Sequence, residues 1–236
     1  MADFRTHLTV ASLGSGLLST MCLGAGVASP REVMTLAVVG TLGGILPDID
    51  SDHSSPIKIL FTVLGFVSAF LVVFSHVEQY STLELWLLWI LVYVFIRYPV
   101  WLVFVRFTVH RGIFHSLLAG LFFGLFMVNL SSLVFACSPL LAWIIGSFVC
   151  FGYTVHLLLD EIFSVDFMNT RIKRSFGTAL KVIDYRNLTN SALMIGAVYF
   201  LFLMAPDAGA FTDIFLNEEI YHNVYKRFWP STGLFQ

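Results

Sequence analysis

Four short stretches of this chain carry side chains able to hold a divalent cation or move a proton. His7 follows Thr6 just ahead of an apolar run. Asp48 and Asp50 alternate in Leu46-Pro47-Asp48-Ile49-Asp50. His110 and His115 bracket Arg111 and Gly112 and lead into Ser116-Leu117-Leu118. His156 precedes Asp160 by four positions. Imidazole nitrogens and carboxylate oxygens suit hard or borderline divalent ions. Held extended, Asp48 and Asp50 would project to one side; otherwise they are solvated residues of a helix-ending turn. Gly112 permits a sharp bend that turns both flanking histidines to one place. Arg111 either grips a phosphate with two parallel hydrogen bonds or anchors a span at the membrane surface. On a helix, His156 and Asp160 share a face. They could share a metal, Asp160 could orient His156, or the two could form a plain structural hydrogen bond.

The elements that must position these groups are membrane spans. The chain is 58% hydrophobic and 12% charged, with 24 Phe, against about 25% charged in an ordinary soluble domain. Its mean hydropathy is +0.84. A soluble exterior cannot be built from so few polar groups, whereas lipid removes that requirement. Apolar runs at Leu8–Ala28, Ile59–Ser75, Leu85–Val105, Ile113–Ala136 and Leu140–Phe163 approach or exceed the ~20 residues that cross a bilayer. Ser191–Ala205 is a shorter span, and Val33–Leu46 reads as a buried or partial span ending at Pro47. The expected fold is all-α, a polytopic transmembrane bundle of about six to seven spans. Residues 1–205 form the membrane-embedded domain and 206–236 a mixed tail. Cys22, Cys137 and Cys150 lack metal-site spacing and read as small buried hydrophobes. The polar start of the chain does not read as a cleavable signal. A net charge of −2 with no basic stripe argues against nucleic acid as a partner.

If the spans alternate, one side holds Arg5, Lys58, Arg106, Arg111, Arg171, Lys173, Arg174, Lys181 and Arg186, and the other only Arg31, Lys226 and Arg227. The positive-inside rule makes the first side cytoplasmic. The same side collects His7, His53, His110, His115 and His156 with Asp48, Asp50, Asp52 and Asp160, leaving His76 and His222 opposite. Ionisable residues beside spans are expensive and need partners. Seven converging candidates (His7, Asp48, Asp50, His110, His115, His156 and Asp160) exceed the four ligands of one tetrahedral zinc. Two or more metals are expected, with Zn, Mn or Fe compatible.

At these motifs the chain resembles the YdjM-type family of inner-membrane metal-dependent hydrolases. Thr6-His7-Leu8, Leu46-Pro47-Asp48-Ile49-Asp50, His110-Arg111-Gly112 with His115-Ser116-Leu117, and Gly152-Tyr153 with His156 and Asp160 match in the family's order. The resemblance implies a distant relation to zinc-dependent phospholipase C and its associated nucleases, a multinuclear zinc centre and phosphoester cleavage in a bacterial inner membrane. Carried over, the ligand candidates are His7, Asp48, Asp50, His110, His115, His156 and Asp160. Where the family often has a His directly after the D-x-D, this chain has Ser51-Asp52-His53, out of register. In that reading Asp48 or Asp50 serves as base or bridging ligand, and Arg111 meets charge on the phosphoryl oxygens. A membrane phospholipid at headgroup level is the expected substrate. The rival reading is a divalent-cation transporter or channel, whose sites tend to lie near the bilayer midplane on broken helices. A third is a metal-stapled scaffold. Oligomeric state has no signature here.

Overall fold

The computed structural model describes residues 3–50, 55–102, 112–166, 171–172 and 180–228. In chain order its helices are α1 (Phe4–Ala25), α2 (Pro30–Gly43), α3 (Ser55–Ser75), α4 (Thr82–Phe95), α5 (Leu117–Leu133), α6 (Pro139–Ile162), α7 (Leu188–Met204), α8 (Gly209–Ile214) and α9 (Glu218–Phe228). The chain is therefore an all-α membrane bundle. Phe4–Ala25, Thr82–Val100 and Pro139–Ile162 are long and apolar enough to cross a membrane; α5, α7 and Phe61–Ser75 of α3 are apolar but shorter. The one short pairing of strands among the described residues joins Val165–Asp166 to Arg171–Ile172.

Local chemistry sets the helix boundaries. Asp3 caps α1 by accepting from the Thr6 N–H at 2.8 Å, and Gly26 ends it in the left-handed region at φ 76°. Ser29 and Glu32 open α2, the Ser29 N–H donating to the Glu32 carboxylate at 2.6 Å, with Pro30 in the first turn. Pro99 has no N–H to donate, and α4 widens there into a π turn over Ile96–Val100. The fifth apolar run begins its helix only at Leu117, because Ser116 caps it by accepting from the Ala119 N–H at 3.3 Å. Two further amides of that first turn are met by another segment: Leu117 N–H donates to the Lys181 carbonyl at 2.9 Å and Leu118 N–H to the Val182 carbonyl at 3.1 Å.

The chain divides into two compact units, residues 1–47 with 115–236, and residues 48–114. In the first, α6 is the central helix: 56% of its span is buried, against 22% for α1. Ala142, Ile145, Val149, Gly152, His156 and Asp160 form one buried stripe at helical spacing, facing α1, α2 and α5. Contact with α2 is backbone to backbone, since a Cβ on Gly152 would overlap the Gly40 carbonyl oxygen. Gly124 and Gly146 give α5 and α6 a similar approach, the Gly124 carbonyl lying 2.7 Å from where a Gly146 Cβ would sit. Asn129 of α5 donates to the Leu201 carbonyl of α7 at 2.9 Å, a bond that lipid favours. The tail returns to the same unit: Trp143 donates to the Pro206 carbonyl at 3.0 Å and stacks on Phe211 at 5.8 Å. The three cysteines are free and half-buried. The second unit is the α3–α4 hairpin, in which only 6% of the Thr82–Val100 span is buried.

Gly152→Ala is expected to destabilise the protein by about 1–3 kcal/mol, the usual effect of overpacking a tight contact. Thermal unfolding in detergent, compared with Gly16→Ala, whose added Cβ meets nothing within 4 Å, checks this.

Candidate metal centre

Three helices of the first unit bring ionisable side chains to one of its ends. His7 lies in the first turn of α1, its N–H donating to the Asp3 carbonyl at 3.2 Å, so the Asp3 cap holds the turn that carries it. His115 immediately precedes the Ser116 cap of α5, whose backbone pairs with Lys181. His156 and Asp160 end the buried stripe of α6, one turn apart. All are nearly sealed from solvent: His7 is 3% exposed, His115 2%, His156 0% and Asp160 3%.

The three imidazoles surround the one carboxylate. His7 Nε2 lies 3.2 Å from Asp160 Oδ1. His115 Nε2 and His156 Nε2 each lie 3.8 Å from Asp160 Oδ2. The His7 ring stacks on His156 at 3.7 Å and 12°, while His115 meets His156 edge-on at 6.0 Å. His156 Nδ1 is 2.7 Å from the Gly44 carbonyl oxygen. A carbonyl can only accept, so Nδ1 carries the proton and Nε2 offers its lone pair on the Asp160 side. A backbone carbonyl that fixes a histidine's tautomer and ring plane is the usual support of a metal ligand.

The donor set fits a divalent metal. Neither Asp160 oxygen makes a hydrogen bond of good geometry, and His7 Nδ1 makes none; the 3.2 Å approach of His7 to Asp160 is close but poorly directed. A sealed carboxylate without donors requires a positive partner. Two ligands bound at ~2.0–2.1 Å at a tetrahedral angle sit about 3.3–3.4 Å apart, close to the separations found here. One ligand atom each from His7, His156 and Asp160 lies within 4.8 Å of the others. His7, His156 and Asp160 could hold an ion together, with His115 Nε2 beside them at 3.8 Å from Asp160.

Of the two forms open to the D-x-D motif, the backbone takes the turn. Asp48 and Asp50 lie on a 3-10 turn, Leu46–Asp50, not on an extended stretch. Pro47 holds φ near −65°, which suits that turn. Asp48 is half-buried and opens the second unit; the Asp50 side chain lies outside the described residues. So do His53, His110 and Arg111. Two supports had no individual signal in the sequence. The Gly44 carbonyl acts across 112 positions of chain, and the Lys181–Val182 segment anchors the helix that follows His115. The Gly43-Gly44 pair marked a helix end but not its approach to α6.

A family model described as YdjM inner membrane protein matches residues 3–204. The chain belongs to this family. The match encloses all seven candidate ligands and leaves the whole tail outside. No curated protein and no solved structure matches the chain. Membership of an inner-membrane family agrees with the apolar helices and with the resemblance carried by the four motifs.

Two outcomes are expected of this cluster. Protein purified in detergent without chelator carries at least one equivalent of a transition metal by elemental analysis. Asp160→Ala and His156→Ala weaken its retention by more than the ~10–100-fold that losing a mere outer support costs. Chelation lowers the melting temperature of the wild type and re-addition of the metal restores it, because an ion bound at 100 times its Kd stabilises by about 2.7 kcal/mol. The same treatment leaves the melting temperature of Asp160→Ala unmoved.

Proposed function

We propose that this member of the YdjM family is a membrane-bound, metal-dependent hydrolase that cleaves a phosphoester of a membrane phospholipid, with its His/Asp centre at the cytoplasmic face. The observation that carries this reading is the sealed Asp160 carboxylate with the Nε2 atoms of His7, His115 and His156 at 3.2–3.8 Å. Such a set of donors suits zinc, with manganese or iron compatible. Asp48, Asp50 and His110 are the further ligands proposed for a second ion.

The position of the cluster supports an enzyme over a transporter. His7 and His115 sit at the N-terminal ends of α1 and α5, His156 and Asp160 at the C-terminal end of α6, and Gly44 at the end of α2. A centre at the ends of spans lies at headgroup level, where a lipid reaches it sideways from the leaflet; transport sites tend to lie at the midplane. The charge pattern supports the orientation. Arg5, Lys181 and Arg186 lie near the helix ends that carry the cluster, and Arg31 lies at the other end of α2.

A divalent ion in this set would polarise a phosphoryl oxygen and acidify a water at neutral pH. The chain supplies the rest. Gly44 keeps the His156 ring from turning, and Asp160 balances the ion's charge. Asp48 is proposed as the general base or as a further ligand. Arg111 pairs with the phosphoryl oxygens in two-pronged fashion. The apolar ends of the spans exclude bulk water and strengthen each of these interactions.

Protein reconstituted with its metal into phosphatidylglycerol and phosphatidylethanolamine vesicles is expected to release a cleaved headgroup or phosphate, detected by mass spectrometry. Asp160→Ala should abolish release together with the metal. Asp48→Asn should lower turnover by ~10²–10⁴-fold if Asp48 is the base, with metal content retained; loss of metal would make it a ligand instead. Metal flux into the vesicles with every lipid intact would sink the hydrolase reading in favour of transport.

A further inference from the structure

Arg97 lies inside the Thr82–Val100 span, where a lone guanidinium is costly without a counter-ion. Its Nε donates to Thr62 Oγ1 of α3 at 3.1 Å, and its plane lies over the Tyr98 ring at 5.3 Å. That one bond holds the guanidinium between α3 and α4 and leaves its two terminal amino groups to other acceptors. Among the described residues no carboxylate lies within ion-pair distance of Arg97. One turn on, the Trp101 indole N–H also lacks an acceptor among the described residues. Arg97 stands fifteen residues past Thr82, about 22 Å along the axis at ~1.5 Å per residue. With Thr82 at one edge of a hydrocarbon core of about 30 Å, a side chain at that depth reaches toward the phosphates of the nearer leaflet.

The seam below Arg97 is apolar. A cavity of about 410 Å³ opens between Phe66, Phe70 and Val73 of α3 and Leu85, Trp86 and Trp89 of α4, a size typical of small-ligand pockets. Thr62, Phe66, Phe70 and Val73 follow one face of α3, and Arg97, Tyr93, Trp89 and Trp86 one face of α4, in steps of three and four residues. Phe66 links the two parts by edge contacts with Trp89 at 5.1 Å and Tyr93 at 5.3 Å. A guanidinium with two uncommitted amino groups therefore stands at one end of the seam and an apolar slot at the other.

We infer that the α3–α4 seam binds one membrane phospholipid, its phosphate on the Arg97 guanidinium and an acyl chain in the slot lined by Phe66, Phe70 and Trp86. This stands independently of the hydrolase reading, because none of its residues belongs to the His/Asp cluster. The test uses delipidated full-length protein in detergent, with native mass spectrometry to count bound lipid and thermal unfolding to read its effect. The three probes are dioleoyl phosphatidylglycerol, dioleoylglycerol and inorganic phosphate. The wild type is expected to bind phosphatidylglycerol roughly tenfold more tightly than dioleoylglycerol, the effect of a charge-assisted hydrogen bond, and to release it with its mass unchanged. Arg97→Gln should erase that preference, Arg97→Lys should keep part of it, and Val73→Trp should weaken both lipids by filling the slot. Equal binding of the two lipids by the wild type would overturn the inference even if Arg97→Gln failed to fold. So would a full thermal shift from inorganic phosphate alone, or an Arg97→Gln protein that kept its preference for phosphatidylglycerol.

Discussion

A carboxylate buried among apolar helices is tolerable only when positive charge or well-directed donors face it. Asp160 has neither donors of good geometry nor exposure to water. It also sits in the last turn of α6, where the unsatisfied carbonyls make the helix end electronegative and unfavourable to an anion. Both facts turn favourable once a cation sits among Asp160, His7, His115 and His156, since the helix end then adds to the attraction. Much of the first unit serves that arrangement. The Asp3 cap fixes the turn carrying His7, the Lys181–Val182 segment fixes the start of α5 beside His115, and the stripe of α6 that packs the core ends in His156 and Asp160.

Close backbone packing is the condition for this geometry. Gly44 can offer its carbonyl to His156 only because α2 lies against α6, and α2 lies there because Gly152 leaves room for the Gly40 carbonyl. Small residues gather at helix contacts in lipid because hydrophobic exclusion no longer drives association and close packing must do so. The glycines of the core and the histidines of the site are thus parts of one device. A methyl group at Gly152 would press one turn away from a ligand, so packing and ion binding are mechanically joined.

The parts of this design that were legible in the sequence are those encoded locally. Apolar runs of span length became helices, and His156 with Asp160 share a face because four residues make one turn. His7 stood out as a lone imidazole ahead of an apolar run. The alternation of Asp48 and Asp50 left an extended stretch and a helix-ending turn both open; Pro47, compatible with a tight turn, favours the 3-10 form. Long-range supports left no local mark. Gly44 and Gly152 read as a helix stop and a small residue until their partners are known, and Val182 contributes through a carbonyl that every residue possesses. Lys181 looked like one more cytoplasmic charge, yet its backbone pairs with Ser116, and its Nζ holds the buried Asp184 at 3.2 Å.

The same electrostatic demand has two solutions within this chain. In the first unit, negative and positive-capable groups gather at one point and are completed by an ion small enough to be enclosed. In the second, Arg97 meets the Thr62 hydroxyl and the Tyr98 ring but no carboxylate among the described residues, on a helix whose surface is almost wholly outward-facing. The counter-charge inferred for this cation comes from outside the protein. In an inner membrane the anions available at that depth are lipid phosphates, which arrive with acyl chains attached. The aromatic slot on the same helix faces gives such a chain somewhere to lie, so a charge that is costly in isolation becomes half of a ligand's address.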